Sequence, residues 1–406
     1  MAEPLVARAA PPRAPDGALR LLFVLSGNMV LDAVEVSVVL VALPSIAGEL
    51  GLPVRSVQWL MSGFALGFAA VLLLGPKLTA RWGLRRCYLA ALIVFAGASV
   101  VGGLSDTLWV LVASRVVKGG CAALTAPAGL TLIAATFPEG PRLRRAVSVY
   151  SLFGAAGFTL GLLLSGLLTP LSWHWTFLFP APVALALLLW GLRTVPHTER
   201  RIPPRLTRGL LRDGDLVRAT LGAATLNGTY AALLLLTTFQ AADRFGWRPW
   251  QLALALLPAC VPLAVSVPFA GRLTARYGTS GPVAAGAVTA FAGQLLLLIH
   301  PRPRSYALGL LPTLLLVGIA LALSFAALNL QATSGLTARE RGAAVPLYQT
   351  GVQLGGVLML PLVAALLTDG SGPRTAPLAL TLAGAAGALV SLTGLRSRSP
   401  KGRTPS

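Results

Sequence analysis

Charge is scarce in this chain. Only 11% of its 406 residues are Asp, Glu, Lys or Arg, against about 25% in an ordinary soluble domain. With 55% hydrophobic residues and a mean hydropathy of +0.75, a water-exposed globule of this size has too little polar surface to cover itself; lipid is the solvent that remains. Acid is scarcer still, 13 Asp and Glu against 33 Lys and Arg, for a net charge of +20. The basic residues do not gather on one folded face among exposed aromatics. They sit in short segments between apolar runs, which excludes nucleic acid as the expected partner and predicts loops lying against an anionic membrane surface. Cysteine is nearly absent: Cys87, Cys121 and Cys260 lie far apart with no CxxC pair, so neither a disulfide framework nor a metal site is expected. Walker A loops, HExxH, GxSxG elbows and a GxGxxG after a strand are all missing, so no catalytic residue, cofactor or enzymatic activity is expected, nor energy from bound ATP. Residues 1–20 hold Arg8, Arg13 and Arg20 among four prolines, with no short apolar core before a small-residue cleavage site. That reads as a cytoplasmic tail, not a cleaved signal peptide.

What is present is apolar length. A helix needs about 20 apolar residues to cross roughly 30 Å of hydrocarbon, and lipid forbids unpaired backbone groups. Twelve runs meet that requirement, near 20–46, 56–76, 84–104, 107–135, 145–168, 175–195, 217–240, 250–271, 281–300, 306–333, 343–368 and 375–395. The expected class is therefore all-α: a polytopic protein of the plasma (inner) membrane, with Pro258, Pro262 and Pro268 kinking the eighth run. Alternate connections carry 25 Lys and Arg on one side and 6 on the other, while Arg115 and Lys118 lie inside a span. The bias puts both termini in the cytoplasm. The chain divides into a tail (1–19), six spans (20–195), a basic proline-containing linker (196–216), six further spans (217–395) and a second tail (396–406). A repeat supports two pseudo-symmetric bundles. Leu78-Thr79-Ala80-Arg81-Trp82-Gly83 returns 195 residues later as Leu273-Thr274-Ala275-Arg276-Tyr277-Gly278, each copy after the second span of its half.

These segments resemble the major facilitator superfamily, and within it the drug:proton antiporters, over about residues 20–395. The loop Pro76–Arg86 and its second copy from Gly271 resemble the pattern G-x-L-a-D-R-x-G-r-R, with Ala80 and Ala275 where the Asp stands. Arg115-Val116-Val117-Lys118-Gly119 resembles R-x-x-Q-G. Gly157, Gly161, Ser165 and Gly166 resemble G-x-x-x-G-P-x-x-G-G, with Leu162 in place of Pro; Trp173-His174-Trp175-Thr176-Phe177 resembles the W-R-W-x-F that follows. Glu35 through Pro44 resembles D-x-T-I-V-N-V-A-L-P. The resemblance implies two six-helix bundles around a central cavity, alternating access, and proton-coupled export of a small amphipathic organic compound. The expected partners are that substrate, protons and the bilayer, and the expected state is a monomer. An importing facilitator or symporter, or a sensor on a transporter scaffold, would share many of these features.

Ionisable groups at membrane depth are costly and mark function. Asp32 and Glu35, three apart on one helix face, are the acids that fall well inside a span. Glu35, with Asp32, is the expected proton carrier; a static ion pair is the alternative. Arg115 and Lys118 share a face of the fourth run and need anionic partners. The resemblance places runs one and four on one cavity, so Arg115 is expected to pair with Glu35 or Asp32, while Lys118 either joins them or snorkels to an interface. Gly157, Gly161 and Gly166 predict close helix approach, either plain packing or a rocking contact between halves. Arg81, Gly83, Arg276 and Gly278 are expected at the gate by the resemblance. Trp59, Tyr150, Asn227, Tyr230, Asn329, Tyr348, Gln349 and Gln353 are polar or aromatic residues in apolar spans. They are candidates for substrate contact, with interhelical hydrogen bonding as the alternative for about half of them.

Overall fold

The computed structural model describes residues 16–138, 140–196, 207–369 and 372–396. Most of the expected tails and of the linker fall outside them. All twelve apolar runs are helices: α1 (Gly17–Glu49), α2 (Val54–Leu72), α3 (Leu84–Gly103), α4 (Leu108–Thr136), α5 (Pro141–Leu168), α6 (Trp175–Thr194), α7 (Gly214–Phe245), α8 (Pro249–Tyr277), α9 (Ser280–Ile299), α10 (Tyr306–Ala332), α11 (Glu340–Thr368) and α12 (Thr375–Gly394). At 1.5 Å per residue each can span the hydrocarbon. An even number of spans brings the start of α1 and the end of α12 to one side, called here the terminus side.

Local chemistry sets the ends. The Asp213 carboxylate accepts the Leu216 N–H at 2.8 Å and starts α7. Thr337 and Glu340 cap each other's backbone at the head of α11. Two segments read as loops are helical. Gly75–Trp82 and Ala270–Tyr277, the two copies of the repeat, are short amphipathic helices on the terminus side. Each stops at a glycine with positive φ, 87° at Gly83 and 68° at Gly278, which an L side chain rarely adopts. The repeat is thus a helix with its stop signal. Trp82 and Tyr277 are left exposed at its end, and the Arg276 guanidinium lies 5.4 Å from the Tyr277 ring centre. α8 passes through a 3-10 turn, Val267–Phe269, at Pro268, where the missing N–H breaks the α-helical ladder.

Without a hydrophobic drive between helices in lipid, close approach of backbones supplies the packing. α2 and α4 cross so tightly that a Cβ on Gly67 would sit 1.9 Å from the Val116 carbonyl oxygen, and one on Gly119 2.1 Å from that of Phe64. α7 and α11 do the same at Gly355, 1.9 Å from the Ala224 carbonyl. On α5, Gly157 and Gly161 lie against Val30, Ala33, Val34 and Ser37 of α1, within one half, whereas Gly166 meets Ala253 and Trp250 of α8 in the other. Only the last is a contact between halves. Gly157 and Gly161 hold α1 on α5, with Ser37 Oγ donating to the Phe158 carbonyl at 2.7 Å.

The buried cores show how the halves meet. Away from the termini one core runs through both, from Val34–Ile46 of α1 and Leu162 of α5 to Tyr230–Leu236 of α7, Leu252–Cys260 of α8 and Val363 of α11. On the terminus side it splits in two, one within α1 and α3–α6 and one within α7 and α9–α11 with the segment before α7. The buried cores of the two halves are therefore continuous on the far side and distinct on the terminus side. Trp173 anchors the far side of the first half: it is buried, its indole N–H donates to Glu49 at 2.9 Å, and its ring meets Phe177 edge-on.

Candidate functional site

Midway along α1, the two acids point toward α4 and meet different surroundings. Glu35 is fully buried and held by two cations. Arg115 Nη1 donates to Glu35 Oε2, and Lys118 Nζ donates to Oε1 at 2.8 Å. The guanidinium is used on all sides: Nη2 donates to the Glu35 carbonyl at 2.7 Å and Nε to the Leu60 carbonyl at 2.8 Å, while its carbon lies 4.8 Å from the Phe64 ring centre. Lys118 is fully buried, with its ammonium 5.5 Å and 5.3 Å from the ring centres of Phe95 and Phe177. It does not snorkel. Aromatic faces and a shared carboxylate replace the water that an ammonium loses on burial.

Asp32 sits one turn closer to the terminus side, and no Lys, Arg or His among the described residues lies within ion-pair distance of it. Its carboxylate oxygen accepts the Asn28 amide at 2.9 Å and the Thr125 hydroxyl at 2.9 Å. It is 7% exposed where Glu35 is at 0%. Val36, four residues on, is 39% exposed. Asn28 and Thr125 were not among the residues singled out from sequence. Asn28 stands four before Asp32 on one helix face and could have been found by that spacing; Thr125 becomes visible only once α4 lies against α1.

The other singled-out residues divide by their bonds. Tyr150 is buried and donates to the Ala126 carbonyl of α4 at 2.9 Å. Tyr230 donates to the Ala259 carbonyl of α8 at 3.2 Å, and its ring lies 6.1 Å from that of Phe158 across the two halves. Asn227 donates to the Val352 carbonyl at 3.0 Å. Asn329 donates to the Phe325 carbonyl on its own helix and accepts the Gln349 amide at 3.4 Å, tying α10 to α11. Tyr348 is buried in the core of the second half, Gln353 is half-buried on α11, and Trp59 is exposed at the head of α2. Arg81 is exposed on the terminus side. Carried forward by the repeat spacing of 195 residues, Asp32 and Glu35 fall on Asn227 and Tyr230. Where the first half carries acids, the second carries neutral hydrogen-bonding groups.

Comparison with known proteins accords with this architecture. The chain is 29% identical over 420 residues to the puromycin resistance protein of Streptomyces alboniger, spanning 88% of this chain and 83% of that one. It is 33% identical to a cephamycin export protein of Amycolatopsis lactamdurans over 59% of this chain and 45% of that protein. In fold it is similar to the nucleoside transporter NupG, with a TM-score of 0.73 at 13% identity, over 93% of this chain and 99% of that one. The profile of the Major Facilitator Superfamily matches residues 25–360. With twelve spans and a match over most of its length, the chain is a membrane transporter and belongs to the Major Facilitator Superfamily.

Proposed function

We propose that this transporter exports amphipathic organic compounds across the plasma membrane in exchange for protons, with Asp32 as the group that exchanges the proton and Glu35–Arg115–Lys118 as the ionic post on which α1 and α4 are held. The contrast between the two acids carries this reading. A proton arriving at Glu35 must displace two charged donors, whereas at Asp32 it competes with hydrogen bonds from two neutral donors. A full positive charge attracts a carboxylate more strongly than the dipole of a neutral donor does, above all in a low-dielectric interior. Asp32 is also the less completely buried of the two. The basic excess on the terminus side supports a cytoplasmic location for both termini. The separate cores on that side then correspond to an inward-facing state, ready to take cargo from the cytoplasm or the inner leaflet. Relatives named for antibiotic resistance and export support the direction and the class of cargo.

The test is transport in proteoliposomes with an imposed pH gradient and a lipophilic fluorescent cargo. Wild type is expected to accumulate cargo against its gradient and to release protons stoichiometrically. Asp32→Asn should reduce gradient-driven accumulation to the leak while cargo exchange without a gradient persists. Unchanged proton release in Asp32→Asn would remove Asp32 from the coupling step, and gradient-independent transport by the wild type would remove the antiport itself.

A further inference from the structure

The two copies of the repeat leave the same side chains uncovered. Each short helix is tied by one threonine: Thr79 Oγ1 donates to the Gly75 carbonyl at 2.9 Å, and Thr274 Oγ1 to the Ala270 carbonyl at 3.0 Å. Both partners are offset by the repeat spacing of 195 residues. Two cations of each copy are exposed at matching positions, Lys77 and Arg81 in the first and Arg272 and Arg276 in the second. Exposed apolar and aromatic side chains bracket them. Leu74 and Trp82 in the first copy become Phe269 and Tyr277 in the second, again 195 residues on. Helical positions spaced three and then four apart share a face, so in each copy the apolar residue and both cations stand on one side.

The charge on these faces is uncompensated. No Asp or Glu among the described residues lies within ion-pair distance of the four cations. Ala80 and Ala275 stand where the loop pattern carries an Asp, so neither helix supplies an acid of its own. The exposed set is the one a membrane interface selects: an apolar side chain for the acyl boundary, basic groups at the depth of the phosphates, and Trp or Tyr in the headgroup layer. Cations without a counter-ion fit an anionic headgroup better than a zwitterionic one.

We infer that the two copies are a pair of equivalent docking sites for anionic phospholipid, one on each bundle, in the leaflet on the terminus side. Each site takes a headgroup phosphate with its two cations and an acyl chain against its leucine or phenylalanine. The sites differ in one respect. Position 77 is lysine, a point charge, whereas position 272 is arginine, whose planar fork matches a phosphate with two parallel hydrogen bonds. The site on the second bundle therefore holds its lipid more tightly.

Native mass spectrometry of the full-length protein in neutral detergent, titrated with phosphatidylglycerol, tests this. Wild type should retain two phosphatidylglycerol molecules in preference to phosphatidylcholine. K77Q/R81Q and R272Q/R276Q should each lose one of the two, with binding at the altered site weakened about fivefold per cation removed. The fourfold variant should lose both, and the charge-keeping K77R/R81K should still bind two. R144Q/R145Q removes two exposed cations outside the repeat and should leave both lipids bound. Inorganic phosphate at matched ionic strength should not displace the lipid, since it offers nothing to Leu74 or Phe269. Equal retention of phosphatidylcholine by wild type, undiminished binding by the fourfold variant, or displacement by phosphate overturns the assignment. So does a loss in R144Q/R145Q equal to that in K77Q/R81Q, which would mean that net charge alone attracts the lipid.

Discussion

Glu35→Ala should be the most damaging single substitution in this protein, costing about 3–5 kcal/mol of stability. The magnitude follows from what is left behind. Arg115 and Lys118 share one carboxylate, and both are fully buried. Without Glu35, two adjacent cations remain in a low-dielectric interior, and the guanidinium cannot shed its proton. Arg115→Met is milder, because Glu35 keeps Lys118 as its counter-ion, and Lys118→Met milder still, because the guanidinium retains both Glu35 contacts and the Leu60 carbonyl. Expression level and melting temperature in detergent should rank the variants in that order. Replacing all three by neutral side chains of similar volume should restore most of the stability lost in Glu35→Ala, since a buried ion cluster contributes little net stability over an apolar equivalent. If Lys118→Met proves as harmful as Glu35→Ala, the cluster is not organised around the carboxylate.

Gly67→Ala should come second, and it acts through distance rather than charge. The added methyl would meet the Val116 carbonyl oxygen at 1.9 Å, a backbone atom that cannot rotate aside. α2 and α4 would have to separate, and overpacking of this kind costs about 1–3 kcal/mol or more. The shift would also carry Arg115, one residue before Val116, away from the Leu60 carbonyl it holds. Gly97→Ala is the control: nothing lies within 4 Å of the new methyl, and alanine favours a helix interior. Thermal melting of the pair should show a large loss for Gly67→Ala and none for Gly97→Ala; equal effects would mean that the α2–α4 crossing tolerates a side chain.

The spans were legible because lipid leaves the chain so few options: twelve apolar runs of the right length become twelve helices. Their ends were less so. The segments around Arg81 and Arg276 look like basic loops because they are too short and polar to span, yet their alternation of apolar and basic residues makes amphipathic helices that end at Gly83 and Gly278. The break of α2 at Gln58 carries no proline or glycine to announce it. Within the site, the involvement of Asp32, Glu35, Arg115 and Lys118 could be read from the cost of burying charge. Which acid meets which base could not, because it depends on the rotation of α1 against α4, set by Gly157 and Gly161 on α5. Polar residues in spans are a weak signal for substrate contact. Tyr150, Tyr230 and Asn227 each donate to a backbone carbonyl of another helix, a bond sequence alone does not reveal.

The neutral counterparts of the acids bear on how such a chain can be taken apart and rebuilt. A concatemer of two second halves would keep paired bundles and hydrogen-bonded seams, with Asn227 and Tyr230 in both copies and no ionisable carboxylate at mid-depth. It should insert readily and remain indifferent to a pH gradient. Two first halves joined together would instead bury twice the ions. On the proposed coupling, division of labour between the halves, and not symmetry alone, sets the minimum working unit.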